Sequence, residues 1–342
     1  MMGLDSTLPP IRIDRDVTVH DYIPGQPIPM LIRDRESGKI YANPLKKWVK
    51  PFVLAMEPEE LTLTAAGTIG SKSEPIPLQI DNKGHFEIID AFFSSQRAAG
   101  FTVLLQDANN RPILMNREIH VASFASGGGV TTNAGALGTA GSAGRPFRWP
   151  ESFWMNVEEH GTAIFAVFRN LSSQSNKIRF ALGGLRWYCL QAPPRVADRM
   201  KEIYRARFRT MPYFFTTDEF VSLSGGASDK FQVRFGDEAW TEITKLMAFS
   251  TAFDVSGTAN DFDVRISEFT TKKRYMSELI SRQLVFGNGE FPMLLWESSL
   301  FEPGYRLLFE LKNNSQSTNT IWITMGCRKI FPDPKEDVLV RP

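Results

Sequence analysis

The sequence predicts an all-β protein built as two tandem β-sandwiches from an internal duplication, joined by a linker helix. Three observations carry that expectation. A strand–turn–strand motif occurs twice, short apolar runs of strand length fill most of the chain, and one amphipathic helical stretch stands between the two copies. Strands of this density, separated by turn residues every ~8–12 positions, indicate a sandwich or barrel.

The repeated motif is the strongest of the three. Gly161 to Gly184 reads GTAIFAVFRNLSSQSNKIRFALGG, and Gly304 to Cys327 reads GYRLLFELKNNSQSTNTIWITMGC. The two align without a gap: Gly161, Asn170, Ser172, Asn176, Ile178 and Gly183 meet Gly304, Asn313, Ser315, Asn319, Ile321 and Gly326. Each copy alternates apolar and polar residues, passes an Asn/Ser turn that closes through side-chain to backbone bonds, and resumes as a strand. The pair of strands is a β-hairpin or the two arms of a sandwich, with one face buried.

Further landmarks precede both copies in the same order. Trp149-Pro150-Glu151-Ser152 matches Trp296-Glu297-Ser298-Ser299, and Arg111–Gly127 matches Lys273–Gly289. Pro51-Phe52-Val53 and Glu60–Thr64 match Pro212-Tyr213-Phe214 and Glu219–Leu223. A period of roughly 150 residues is a duplicated domain, since solenoid units repeat at about 20–50.

The elements then follow in order. Residues 1–50 form an extended arm, broken by Pro9, Pro10, Pro24, Pro27, Pro29 and Pro44. The first sandwich occupies 51–192, with strands expected at Phe52–Met56, Leu61–Ala65, Ile76–Ile80, His85–Ile89, Phe101–Leu105 and Ile119–Phe124 before the repeated motif. Ser94–Ala99 fits one helical turn. A glycine-rich insertion, 127–144, has no partner in the second half; lacking a Lys-Ser/Thr pair after its last glycine, it is not a phosphate-cradling loop. The linker is 193–211. Its helix, Val196–Arg209, follows Pro193-Pro194 and carries an apolar stripe of Val196, Met200, Ile203, Tyr204 and Phe208, with Arg195, Arg199, Lys201, Arg205, Arg207 and Arg209 opposite. Its expected task is to connect the halves and cover the open end of a sandwich. The second sandwich occupies 212–331, with strands at Tyr213–Phe215, Phe220–Leu223, Phe231–Phe235, Thr251–Val255, Phe262–Ile266 and Gln283–Phe286 and a short helix at Trp240–Met247. A polar tail, 332–342, ends the chain.

Composition narrows the function. The 342 residues suffice for two cores, with 26 Phe among them. A net charge of +1 lacks the basic face of a nucleic-acid binder. No apolar run reaches the ~18 residues of a membrane span, so membrane contact is not expected. Cys189 and Cys327 are too few for a disulfide framework and read as buried thiols in a reducing compartment.

No chemistry-bearing constellation emerges. His20, His85, His120 and His160 fit no metal spacing, and the HxH pattern of metal cupins is missing from both halves. Glu158-Glu159-His160 reads as a turn, Glu59-Glu60 as adjacent carboxylates pointing apart, and no GxSxG elbow occurs. The expectation is therefore no enzyme, no cofactor and no metal. Trp149, Trp154, Trp187, Trp296 and Trp322 offer a sugar platform as an alternative, although aromatics at repeated positions are more often core or interface anchors.

Two sandwiches in one chain, a connecting helix, and extended arms resemble the double jelly-roll proteins of viral shells. The repeated motifs at 161–184 and 304–327, the Trp149-Pro150-Glu151 and Trp296-Glu297 segments and the connector helix carry the resemblance, over residues 50–331. It implies jelly-roll-like sandwiches and a structural subunit of a virion, here of a bacteriophage. It implies a homotrimer whose six similar walls make a pseudo-hexamer, with other virion proteins as neighbours and assembly in the host cytoplasm. Trp149, Trp296, Arg199 and Arg205 are its candidate interface residues. A minor, decorating, neck or tail protein is the alternative role, because the N-terminal residues are polar and proline-rich where lipid-containing shells place an apolar segment.

Overall fold

In a computed structural model of the chain, residues 31–33, 40–42, 45–65, 72–80, 84–96, 100–124, 147–155, 161–207, 210–217, 221–251, 261–287 and 293–331 are described. The glycine-rich insertion, Glu158–His160, the tail and most of the N-terminal arm lie outside them. What remains of the arm is a small antiparallel pair, β1 (Leu31–Arg33) with β2 (Ile40–Ala42), and a helical turn at Leu45–Trp48.

The first sandwich comprises β3 (Val49–Ala55), β4 (Leu61–Leu63), β5 (Ile76–Gln79), β6 (His85–Ser95), β7 (Phe101–Gln106), β8 (Ile119–His120), β9 (Phe147–Met155), β10 (Ala163–Asn170) and β11 (Asn176–Trp187). They form two antiparallel sheets, ordered β3-β11-β6-β9 and β5-β10-β7-β8, with β4 pairing beside β3 on β11. The second comprises β12 (Thr210–Thr216), β13 (Val221–Leu223), β14 (Ser228–Arg234), β15 (Trp240–Ser250), β16 (Phe262–Glu268), β17 (Ile280–Ser281), β18 (Met293–Phe301), β19 (Arg306–Asn313) and β20 (Asn319–Ile330). Its sheets run β12-β20-β15-β18 and β14-β19-β16-β17, with β13 on β20. Strand for strand the two orders are the same, and each is the jelly-roll order of two interlocked Greek keys. The chain is all-β, two tandem jelly rolls. The two strands of each repeated motif lie in different sheets, so the motif is the corner of a sandwich and not a hairpin.

The duplication reaches single side chains. Asn170 Nδ2 donates to the carbonyls of Thr64 and Gln174 while its Oδ1 accepts from Ser172 N–H. Asn313 repeats this, donating to Leu223, Ser224 and Ser317 and accepting from Ser315 N–H. Each amide fastens the turn before the last strand to the chain leaving β4 or β13. Asn176 and Asn319 reach instead to the next corner, donating to Gly100 O and Asp261 O. Gly161 and Gly304, at φ 81° and 74°, supply the left-handed conformation that opens both motifs. Even the irregularities match: Ile89 is extra in β6 opposite Trp149–Ser152 of β9, and Thr244 is extra in β15 opposite 295–298 of β18. The cation over an aromatic ring also recurs, Arg186 over Phe52 and Lys329 over Tyr213.

Several local expectations change. Gln283–Phe286, expected as a strand, lies largely in a helical turn at Arg282–Val285, and of the expected strand Ile119–Phe124 only Ile119–His120 pairs, Val121–Phe124 coiling into a short helical turn. Trp240–Met247 lies inside strand β15, because its Ile243, Leu246 and Ala248 face the core and its backbone pairs with both β18 and β20. Ser94 and Ser95 end strand β6, and 97–99 lie outside the described residues. Thr251 is a turn residue after β15, and the rest of the expected strand, 252–255, lies outside the described residues. The connector helix runs Pro194–Arg207. Its Val196, Met200 and Ile203 are buried against Leu45, Val49, Trp154, Trp187 and Cys189, so the stripe covers one end of the outer face of the β3-β11-β6-β9 sheet.

Replacing the buried Asn313 with alanine leaves the carbonyls of Leu223, Ser224 and Ser317 without their donor, the first of them buried. An unsatisfied buried group costs ~1–3 kcal/mol, so Asn313→Ala is expected to lose about 2 kcal/mol or more in urea denaturation, with Asn170→Ala losing a comparable amount. A loss in one copy and none in the other would show that the paired asparagines are not equivalent staples.

Candidate functional site

The two jelly rolls pack side by side through unlike surfaces. The second contributes the outer face of its β12-β20-β15-β18 sheet. Along β20 the odd residues Ile321, Ile323 and Met325 enter the second core, while Trp322 and Thr324 point outward and are buried as well. Phe214, Met247 and Phe249 lie on the same outer face. Both Phe214 and Met247 join the core of the first jelly roll.

The first contributes the segment between β7 and β8, the turn after β8, and β9. Residues 114–116 lie along the edge of β12: Phe214 N–H donates to Leu114 O at 2.7 Å and Asn116 N–H donates to Phe214 O at 3.1 Å. The Asn116 side chain adds a second backbone clamp, donating to Thr216 O and accepting from Thr216 N–H. His120 stacks on Phe249 with ring centroids 3.9 Å apart and tilts against Trp322. Ser123 and Thr324 share a hydroxyl–hydroxyl bond at 3.0 Å. Trp149, 3% exposed, and Phe147 close the contact on Phe214, which is 1% exposed.

A buried ion cluster holds that segment to its own sandwich. Glu118 accepts from Thr102 Oγ1 and from Arg169 Nε and Nη2, with Lys72 Nζ at 2.6 Å. Burial pushes the Glu118 carboxyl up, and the bonds from Arg169, Lys72 and Thr102 more than offset this, leaving it below its ordinary range. A second cluster, Asp261 between Arg282 and Ser250, does the same work in the second jelly roll. In both clusters the hydroxyl beside the carboxylate, Thr102 or Ser250, is buried with it and donates to it. Among the described residues, no group of three His, Cys, Asp or Glu is placed to hold a metal ion. Both cysteines are buried and free of disulfide, and burial pushes the Cys327 thiol far up, so it stays neutral.

The four sequence-predicted residues divide. Trp149 anchors the contact between the jelly rolls inside one chain. Trp296 sits in β18, but pairing places Leu295 opposite the position of Trp149, because Phe153 and Ser299 meet the equivalent Ile88 and Ile243. The two tryptophans are one register position apart and not equivalents. Arg199 is half-buried on the connector helix; the side chains of Arg205 and Trp296 lie outside the described residues. Trp149, Trp154, Trp187 and Trp322 are all buried, so they form no exposed sugar platform. The sequence reading missed Phe214, Phe249, His120 and Asn116. Its one available signal was Ile321–Cys327 (IWITMGC), whose alternate positions carry no charge, where Ile178-Arg179-Phe180 carries one.

The strand order defines a double jelly-roll protein. Comparison with solved structures finds folds similar to it. One is a chain in the atomic structure of Sulfolobus Turreted Icosahedral Virus, at TM-score 0.40 and 8% identity over 85% of this chain and 94% of that one. Another is the major capsid protein P2 from bacteriophage PM2, at 0.34 and 11% over 80% and 99%. A third is the Faustovirus major capsid protein, at 0.30 and 8% over 83% and 91%. No family model matches the sequence, and no curated protein does.

Two outcomes are expected of this site. Phe214→Ala removes a buried ring shared by both jelly rolls and should cost about 3–5 kcal/mol, seen as a lower and broader thermal transition. Glu118, with its depressed folded-state value, stabilises the fold above its ordinary pKa of 4.5, and that contribution is lost as pH falls below it. Glu118→Gln should therefore flatten the fall in stability between about pH 5 and 3; an unchanged slope would show that the carboxylate contributes nothing.

Proposed function

We propose that this protein is a non-enzymatic structural subunit of a virion, a double jelly-roll shell protein that assembles with copies of itself. Three chains make a ring of six similar walls, and arms and the glycine-rich insertion reach across to neighbours. One observation carries the reading: two complete jelly rolls are locked side by side into a single unit, through a buried contact richer than a linker requires. A jelly roll hides most of its sheet edges, so many copies tolerate close packing without edge-to-edge aggregation. A near-neutral charge limits repulsion between them. Particle assembly in a bacteriophage-infected cell is the setting the reading takes, with other virion proteins as neighbours and no specific nucleic-acid contact.

A minor, decorating, neck or tail role is the second reading, favoured by the polar, proline-rich residues at 1–30. Mass photometry and electron microscopy of the purified chain separate the outcomes. Three-chain rings, with protease cleavage at 127–144 suppressed on assembly, are expected of a shell subunit. A chain that stays monomeric at every concentration, or turns over a substrate through a single polar side chain, would remove the proposal.

A further inference from the structure

We infer that the exposed turn after β16, with Tyr305 beside it, is a binding site for a carboxylated saccharide such as a uronic-acid polysaccharide. The site goes beyond the structural role and does not depend on assembly. Its starting point is a difference between the two copies. At this corner the first jelly roll has the turn Asp107–Arg111 and, across from it, Thr162. The second has Glu268–Lys273 (EFTTKK), then Arg274 and Tyr275, across from Tyr305 and Arg306. Backbone bonds fix the correspondence. Asp107 N–H donates to Arg111 O as Glu268 N–H donates to Lys273 O, and Ile113 N–H donates to Leu105 O as Tyr275 N–H donates to Ile266 O. Ile113 and Thr162 therefore stand where Tyr275 and Tyr305 stand. A jelly roll folds without these aromatics, so they answer to something other than the fold.

The two tyrosines are held together in the open. Their hydroxyls share a hydrogen bond at 2.8 Å. The Tyr275 ring stands edge-to-face with Phe301, centroids 6.2 Å apart, and Tyr305 packs on the same ring at 4.8 Å. Phe301 is buried and so anchors both, yet Tyr275 stays 44% exposed. Burial, Tyr275 and the nearby Glu268 push the Tyr305 hydroxyl up, so it keeps its proton. A saccharide presents an apolar C–H face and a rim of hydroxyls. This pair offers ring surface to the first and phenol oxygens to the second.

The charge around the pair is uncompensated. Lys272 and Arg306 both lie over the Phe269 ring, 4.4 and 5.8 Å from its centre. Lys273 and Arg274 follow in the turn, and all four cations are exposed. Among the described residues none of them meets a carboxylate within 4.0 Å, and Arg274 donates to the Ser277 carbonyl. Arg234, Arg265, Arg282 and Arg328 of the same jelly roll are each paired with an acid. Lys272 also sits at φ 59°, where the first copy has Asn110 at the same angle. Asparagine tolerates that conformation better than lysine, so the cation is kept against local preference. The acid of the turn, Glu268, accepts from Thr271. Its charge repels a phosphate backbone while its oxygens accept sugar hydroxyls, which favours a saccharide over a nucleic acid. The planar Arg274 and Arg306 guanidiniums suit a carboxylate.

The test titrates the full-length chain with alginate oligosaccharides, using neutral dextran and single-stranded DNA as comparisons. Alginate should bind, more weakly as salt rises, and dextran should not. Lys273→Glu and Tyr275→Ala should each weaken alginate binding at least ~10-fold with the thermal midpoint in place. Tyr275→Phe keeps the ring and removes only the shared hydroxyl, and should cost ~3-fold. Lys312→Glu makes the same exposed charge change at the far end of β19 and should leave binding as it is. An equal loss from Lys312→Glu would overturn the site by reducing it to attraction between net charges. Tighter binding of the DNA, or no binding of alginate, would overturn it as well. Chains that form rings yet ignore alginate lose this site and keep the structural role; chains that stay monomeric yet bind alginate do the reverse.

Discussion

A β-sheet that is apolar on both faces must be covered on both, and the β12-β20-β15-β18 sheet is such a sheet. One face closes the core of its own jelly roll. The other carries Phe214, Met247, Trp322 and Thr324, which water would leave exposed were the first jelly roll absent. At roughly 25 cal/mol for each Å² of apolar surface removed from water, aromatic side chains of this size make the contact a core in its own right. The architecture follows from it. Among the described residues, the connector helix packs Val196, Met200 and Ile203 of its apolar stripe on the first jelly roll.

This requirement explains why two copies of one fold have drifted apart on a single face. Where the second copy has Phe214, Trp322 and Thr324, the first has Val53, Arg179 and Ala181. The inner faces have kept their pattern, as have the Asn170/Asn313 and Asn176/Asn319 staples, the paired bulges and the glycines that open each motif. Those features answer to the jelly roll itself, which both copies must build. The outer faces answer to different neighbours. A permanent partner inside the chain favours large aromatic side chains. The first copy's face is less apolar, with Val53 and Ala55 exposed on it.

Much of the fold was legible in the order of residues. Alternation marked most strands, Asn and Ser marked the turns, and the repeat set the number of domains. The landmarks Pro51–Val53 and Pro212–Phe214 coincide in the pairing of the two copies. Others slipped by one position, as Trp149 and Trp296 did, since a residue-by-residue match cannot see the bulge that β9 and β18 both contain. Trp240–Met247 looked helical because its apolar residues fall three and four apart as well as on alternate positions near the extra Thr244. A bulge shifts the alternation and mimics a helical period.

By itself the sequence determined the all-β class, the duplication and the amphipathic connector, since each is a local periodicity or a self-similarity written along the chain. Only the tertiary structure decided that each repeated motif spans two sheets, that Trp149 faces the second jelly roll, and that His120 and Asn116 serve that contact. Strand order and the pairing of distant faces depend on residues some hundred positions apart meeting in space (Asn116 with Thr216 among them). No periodicity encodes which of two outward faces is to be covered; that is settled only by which surfaces meet once both copies are folded.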